Sequence, residues 1–204
     1  DHFEYDECTV LDTVLMGHQP LWSLMQEKNA LYAKADFSEE DGIRAGELEE
    51  KFAEMDGWNA ESDAAELLSG LGIREALHYE KMGSLNAKEK VRVLLAQALF
   101  GKPDNLLLDE PTSNLDPRNQ HEALRTVRRI AQERSISVCI ILHDLNLAIR
   151  YCDRFLFLKD SEVYAYGGDE VMTPENIEAV YRMHLHIMSY MGIPHIIPFP
   201  DIRL

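Results

Sequence analysis

LLLDEPTSNLD, from Leu106 to Asp116, is the most informative segment of the chain. The apolar run from Asn105 to Leu108 is short and continuous, which is typical of a parallel strand covered on both faces. This strand would end at Asp109 and Glu110. Two carboxylates would then lie at the carboxyl edge of a sheet, where open α/β folds bind their ligands. The first carboxylate suits the binding of Mg²⁺, and the second suits the activation of an attacking water molecule.

A second buried run, from Ser137 to Leu142, ends at His143. The helical pattern over residues 117–134 separates the two runs, and this alternation predicts a mostly parallel α/β sheet within residues 100–183. Because parallel strands end at the same edge, His143 would lie near the carboxylates, where an imidazole can stabilise charge on a terminal phosphate. Together the three side chains predict phosphoryl transfer. Each alone has a structural alternative, since an Asp-Glu pair often caps a helix and a strand-end histidine is often structural.

Three helical patterns precede these strands, over residues 43–55, 60–71 and 86–100. In the third pattern Asn86 can cap the helix, and Glu89, three residues later, can close a capping box. The front of the chain is therefore expected to be mostly helical.

The charge is strongly acidic and unevenly distributed. The chain has 20 basic and 36 acidic residues, a formal charge of −16. Residues 1–80 hold most of the excess, with 20 acidic and 5 basic residues. So acidic a protein repels phosphate backbones, and direct DNA binding is not expected. The three cysteines are far apart, which argues against a disulfide framework or a structural zinc site and favours a reduced, intracellular protein.

LLLDEPTSNLD resembles the Walker B motif and D-loop of ABC-type ATPases, and ILHDLNLA, which contains His143, resembles their H-loop. The resemblance extends over essentially the whole chain and implies ATP and Mg²⁺ as cofactors. It identifies Asp109 as the Mg²⁺ ligand, Glu110 as the catalytic glutamate and His143 as the switch histidine that contacts the γ-phosphate. It assigns the D-loop to Ser113, Asn114, Leu115 and Asp116.

The same resemblance implies a fold and a domain division. The expected fold is α/β, a partial P-loop NTPase (RecA-like) parallel sheet with an α-helical insertion subdomain. The acidic helical subdomain would span residues 1–85. The catalytic subdomain would span residues 86–204 and carry the signature helix, Walker B, D-loop, H-loop and C-terminal β segments.

The signature motif departs from the family pattern. Where the family has Leu-Ser-Gly-Gly-Gln/Glu, this chain has Leu85, Asn86, Ala87, Lys88 and Glu89. The glycines that allow a backbone to approach a phosphate have become Ala87 and Lys88. Lys88 would either supply charge to a phosphate or block its approach.

A second departure concerns the phosphate loop. The string GxxxxGK[ST], whose backbone N–H groups cradle phosphates, does not occur in the 204 residues. The resemblance implies that this loop would precede Asp1. The expected sheet therefore lacks the N-terminal phosphate-loop region, and weak ATP binding is expected for residues 1–204 alone.

The two halves of the chain resemble different branches of the family. Residues 1–112 resemble ABC-F proteins, soluble ATPases that act on ribosomes. Residues 113–204 resemble ATPase subunits of iron-siderophore and cobalamin importers. This pattern predicts a hybrid of natural or artificial origin.

Two functions remain open from the sequence. The first is an ATPase domain that drives transport or ribosome-associated remodelling and needs a phosphate loop supplied upstream or by a partner. The second is a non-enzymatic interaction module. Expected partners are a second ABC domain, in a homodimer or heterodimer, and either a transporter membrane subunit or a ribosome. The expected location is the cytoplasm or the inner face of the membrane.

Overall fold

In a computed structural model of the protein, which describes residues 5–113 and 115–199, the chain forms two compact units. The first consists of Asp1–Leu107 and Asn114–Cys139, and the second of Leu108–Ser113 and Ile140–Leu204. Helices and a parallel sheet are both present, as the sequence predicted. The helix predicted to follow the signature-like residues, Ala87–Phe100, belongs to the first unit, and the functional boundary predicted after residue 85 stays a prediction.

The first unit is mainly helical. Its helices are α1 (Val10–Leu15), α2 (Gln19–Tyr32), α3 (Glu39–Glu54), α4 (Ala60–Gly70), α5 (Ala87–Phe100) and α6 (Pro117–Arg134). Side chains of Thr9, Ser38, Asn86 and Asp116 accept hydrogen bonds at the N-termini of α1, α3, α5 and α6. These caps satisfy amide groups that have no partner inside the helix.

The core of this unit lies where α1 packs against α4 and α5. Val10, Val14, Leu68 and Leu99 are buried there. Gly17 follows α1 and has no room for a side chain, because a Cβ atom would lie 1.8 Å from the Gln97 carbonyl oxygen in α5.

Two short strands form the sheet that carries the Walker B-like segment, β1 (Asn105–Asp109) and β2 (Ser137–Ile141). The Ser137 N–H donates to the Asp104 carbonyl at 3.1 Å, and the Glu110 N–H donates to the Ile141 carbonyl at 3.2 Å. These bonds connect the starts and the ends of the strands in the same order, so the strands are parallel.

The prediction that β1 is covered on both faces is wrong. Leu106 is buried, but Leu107 on the opposite face is 67% exposed. In β2, Ile141 is 45% exposed. Among the described residues the sheet has two strands and one covered face, because successive side chains of a strand alternate between the faces.

The second unit combines two hairpins with two helices. Its elements are α7 (Leu145–Tyr151), β3 (Phe155–Lys159), β4 (Glu162–Gly167), α8 (Pro174–Tyr181), β5 (Leu185–Tyr190) and β6 (Ile193–Pro198). Strands β3 and β4 are antiparallel, as are β5 and β6. Their common core contains Phe155, Phe157, Met172, Ile177, Leu185 and Ile196.

The patterns predicted over residues 60–71, 86–100 and 117–134 begin and end within one residue of α4, α5 and α6. The pattern over residues 43–55 begins four residues too late, because Ser38 caps α3 and the helix starts at Glu39. No helix within residues 5–113 and 115–199 combines the length and apolarity needed to span a bilayer.

Candidate active site

The site begins at the end of β1, where the chain turns sharply. Glu110 has φ of 45°, in the left-handed region that residues other than glycine rarely adopt. Its N–H donates to Ile141, and its carbonyl accepts a hydrogen bond from the Ser113 N–H at 3.0 Å. These two contacts hold the turn.

The Glu110 carboxylate contacts His143. Nε2 of His143 donates to Oε1 of Glu110 when that ring nitrogen carries the proton. The His143 side chain is 77% exposed and that of Glu110 is 43% exposed, so both are accessible to a ligand. The structure therefore brings together the two residues that the shared sheet edge predicted to be close.

Asp109 precedes this pair and is exposed. Within residues 5–113 and 115–199 its carboxylate has no hydrogen bond or ion pair. No group of three or more His, Cys, Asp or Glu residues in these ranges could hold a metal by itself. The single open carboxylate of Asp109 fits Mg²⁺, which proteins usually bind through one or two carboxylates while phosphates and water supply the other oxygens.

The residues predicted to form the D-loop have different environments. Ser113 and Leu115 are half-buried and Asp116 is exposed, whereas Asn114 lies outside the described residues. Asp116 caps α6, because its Oδ1 accepts a hydrogen bond from the Asn119 N–H at 3.0 Å. That bond holds the pKa of the Asp116 carboxyl below its usual value. Asp116 thus has a structural role whether or not it meets a nucleotide.

The signature-like residues Leu85–Glu89 form the N-terminus of α5. Leu85 is buried and Ala87 is exposed. Oδ1 of Asn86 accepts a hydrogen bond from the Glu89 N–H at 3.0 Å. In return the Asn86 N–H donates to Oε2 of Glu89 at 3.2 Å, so the predicted capping box is confirmed.

Lys88 has a partner that the sequence did not indicate. Its Nζ lies 2.6 Å from Oε2 of Glu122 in α6, and Arg92 lies 2.8 Å from the other oxygen of the same carboxylate. The hydrogen bond from Lys88 lowers the pKa of Glu122. The charge of Lys88 is therefore partly compensated within the chain, because Lys88 shares the Glu122 carboxylate with Arg92. No local pattern could have revealed this pair, because Lys88 and Glu122 belong to different helices.

Comparison with known proteins identifies the family. The ABC transporter family pattern matches residues 12–113, half of the chain. The chain belongs to the ABC transporter family. It is 34% identical over 187 residues to the hemin import ATP-binding protein HmuV of Bordetella avium, a match that covers 84% of this chain and 71% of HmuV.

Other ABC proteins match only part of their own length. The uncharacterized ABC transporter ATP-binding protein YkpA of Bacillus subtilis is 50% identical over 169 residues. The probable ATP-binding protein YbiT of Escherichia coli O157:H7 is 46% identical over 175 residues. These matches cover 83% and 85% of this chain but span only 31% and 32% of those two relatives.

Solved ABC structures share the fold. One is an ABC transporter in an inward-facing conformation, with a TM-score of 0.69 at 23% identity, covering 97% of this chain and 70% of that one. Another is the ADP conformation of the ATP-binding cassette MJ1267, with a TM-score of 0.61 at 22% identity, covering 87% of this chain and 64% of that one. The α/β fold is therefore that of an ABC ATP-binding cassette.

Proposed function

We propose that this cassette supplies the hydrolytic residues of an ATP site. The observation that carries the proposal is the contact between Glu110 and His143 beside the open carboxylate of Asp109. A carboxylate that accepts a proton from water, a neighbouring imidazole and a carboxylate suited to Mg²⁺ are the groups that hydrolysis of a nucleoside triphosphate requires.

Each residue has a distinct chemical role in the proposal. Glu110 orients the attacking water and takes its proton. His143 donates a hydrogen bond to the terminal phosphate and stabilises the charge that develops there. Asp109 would hold Mg²⁺, which neutralises phosphate charge when it is bound. In this structure His143 contacts Oε1 of Glu110, and a carboxylate keeps acceptor positions on its second oxygen, so Glu110 can still take a proton from water.

The phosphate loop has to come from outside the 204 residues, either in the same polypeptide or in a partner. A second ABC domain, identical or different, is the proposed partner, and by the family resemblance the signature-like residues Leu85–Glu89 would contact the nucleotide that it holds. The N-terminus of α5 suits this position through its helix dipole, which favours phosphate, whereas the side chains of Asn86, Lys88 and Glu89 are already paired.

Transport is the cellular use that the comparisons favour, because HmuV is named for hemin import. We therefore propose a transporter membrane subunit as a further partner and the cytoplasmic side of the membrane as the location. The ABC-F resemblance of residues 1–112, the ribosome as an alternative partner and the hybrid origin stay predictions.

A non-enzymatic interaction module is the second candidate function. It is favoured by the partly compensated charge of Lys88 and by the lack of a GxxxxGK[ST] string in the 204 residues. Calorimetry with Mg-ATP on residues 1–204 can exclude the second candidate. Binding tighter than roughly 100 μM, about −5.5 kcal/mol, would contradict the second candidate.

ATP turnover by the polypeptide that carries a phosphate loop tests the hydrolytic role. Glu110→Gln is expected to lower kcat about 100-fold or more while ATP binding is retained, because the amide cannot accept the proton. Glu162→Gln is the matched control, since Glu162 is an exposed residue of the same unit at the start of β4. Equal turnover by the two variants would exclude Glu110 as the base.

A further inference from the structure

Asn146 joins the helix that follows His143 to the last strand of the chain. Its Nδ2 donates to the Ile196 carbonyl at 3.1 Å, and its Oδ1 accepts a hydrogen bond from the Ile196 N–H at 2.7 Å. One amide side chain thus satisfies both backbone groups of one residue in β6, as a neighbouring strand would. The orientation of the amide is fixed, because the reverse orientation would oppose two donors and two acceptors.

Asn146 also belongs to the first turn of α7, two residues after Asp144 and three residues after His143. Oδ1 of Asp144 caps this helix by accepting hydrogen bonds from the Asn146 N–H at 2.8 Å and the Leu147 N–H at 3.1 Å. Asn146 is therefore held through its backbone by the cap and through its side chain by β6. His143, being mostly exposed, has little packing of its own, so its backbone must set its position.

Apolar packing alone does not fix that position. Leu147 and Ile196 are buried, and Leu145, Ala148 and Ile149 pack against the core that includes Ile196. Burial of apolar surface is non-directional, and it tolerates small sliding of a two-turn helix along the strand. The paired hydrogen bonds of Asn146 are directional and define one register between α7 and β6.

We propose that Asn146 is a positioning residue for His143: by holding α7 to β6, it places the imidazole within reach of Glu110. This rests on the proposed ATPase function, and it adds the C-terminal hairpin β5–β6 to the elements that determine activity. Loss of the paired bonds allows α7 to shift, and a displacement of about 1 Å in a catalytic group can cost about 100-fold in rate.

Steady-state kinetics of the full polypeptide test the proposal with Asn146→Ala and a matched control, Asn176→Ala. Asn176 lies in the first turn of α8 in the same unit, and its Nδ2 donates to the Val171 carbonyl at 2.9 Å. For Asn146→Ala we expect kcat to fall about 10- to 100-fold and the KM for ATP to stay within about 2-fold. For Asn176→Ala we expect both constants to stay within about 2-fold, although it also loses a helix-anchoring bond.

Nitrogen-15 NMR of the imidazole gives a readout that does not depend on turnover. The His143 ring signals, assigned with His143→Gln, should change in shift and pH profile in Asn146→Ala and match wild type in Asn176→Ala. Unchanged His143 signals in Asn146→Ala, or equal changes in both variants, would overturn the positioning role. A wild-type protein that fails to hydrolyse ATP would instead overturn the proposed function, and the ring signals would still judge Asn146.

Asn146→Asp keeps the test decisive if the alanine variant does not fold. The aspartate retains the acceptor for the Ile196 N–H and loses the donor to the Ile196 carbonyl. We expect the His143 ring signals of Asn146→Asp to change in the same direction as those of Asn146→Ala, but by a smaller amount. Wild-type ring signals in a folded Asn146→Asp protein would count against the proposal, because the paired contact would then be dispensable.

Discussion

The N-terminus of α5 and the end of β1 are both candidate nucleotide sites, yet they differ in how their polar groups are used. At α5, Asn86 and Glu89 bond to each other's backbone, and Lys88 is paired with Glu122. At β1, the Asp109 carboxylate has no partner among the described residues, and the Glu110 carboxylate contacts the ring of an exposed histidine, His143.

The difference separates residues that stabilise the fold from residues that are available for chemistry. Polar groups that already have strong partners lose those contacts when they bind a ligand, so a ligand gains little net free energy from them. Open carboxylates lose only bound water. We therefore expect substitutions at the end of β1 to affect turnover and substitutions at the start of α5 to affect stability.

Asp109→Asn is expected to have the largest effect. A neutral amide binds Mg²⁺ less strongly than a carboxylate, so the Mg²⁺ concentration for half-maximal ATP turnover should rise about 10- to 100-fold. A titration of ATP turnover with Mg²⁺ measures this concentration. Asp104→Asn is the control, because Asp104 is an exposed carboxylate just before β1, at the opposite end of the strand. An equal rise in the Mg²⁺ concentration for half-maximal turnover in both variants would show that the two ends of β1 do not differ in Mg²⁺ binding.

Asn86→Ala is expected to lower the free energy of unfolding by about 1 kcal/mol, because it removes the cap of α5. Chemical denaturation monitored by circular dichroism measures the change. Asn29→Ala makes the same substitution at an exposed position inside α2, where alanine favours the helix, so stability should stay equal or rise. A loss of turnover in Asn86→Ala far beyond its loss of stability would show that this residue meets the nucleotide.

Lys88→Ala should change ATP turnover by less than about 2-fold and stability by about 0–1 kcal/mol, since it breaks a partly exposed ion pair. Lys81→Ala, which breaks the exposed pair with Glu7, is the matched control. A loss of turnover of about 10-fold or more would instead indicate that Lys88 contacts a phosphate. The N-terminus of α5 would then take part in catalysis as the end of β1 does.

The smallest expected effect is a pH dependence of the helical unit. Hydrogen bonds from Lys34 and from the Ser38 N–H lower the pKa of Asp41 from 3.8 to about 2. Because the folded pKa is lower than the unfolded one, this contribution is complete above pH 3.8 and is lost as the pH falls toward 2. The melting temperatures of wild type and Asp41→Asn should therefore differ above pH 3.8, and this difference should shrink as the pH falls toward 2. A difference in melting temperature that stays the same at every pH would contradict this contribution of the Asp41 carboxylate.

Local patterns predicted much of this molecule. The capping box of α5 depends on residues three apart, and the meeting of Glu110 with His143 follows from the shared edge of parallel strands. The exposure of one face of β1 could not be predicted, because an apolar run does not specify what packs against the two faces of a strand. Long-range polar pairs were equally hidden: Arg92 and Glu122 are 30 residues apart, and Asn146 and Ile196 are 50 apart.

The close approach at Gly17 limits which sequences can adopt this fold. An added Cβ would collide with a backbone carbonyl of α5, which cannot rotate away as a side chain can. In a saturation library selected for folded protein, Gly17 should be the glycine at which no substitution survives. Gly46, in the exposed interior of α3 with nothing within 4 Å of an added Cβ, should accept alanine and gain helix stability.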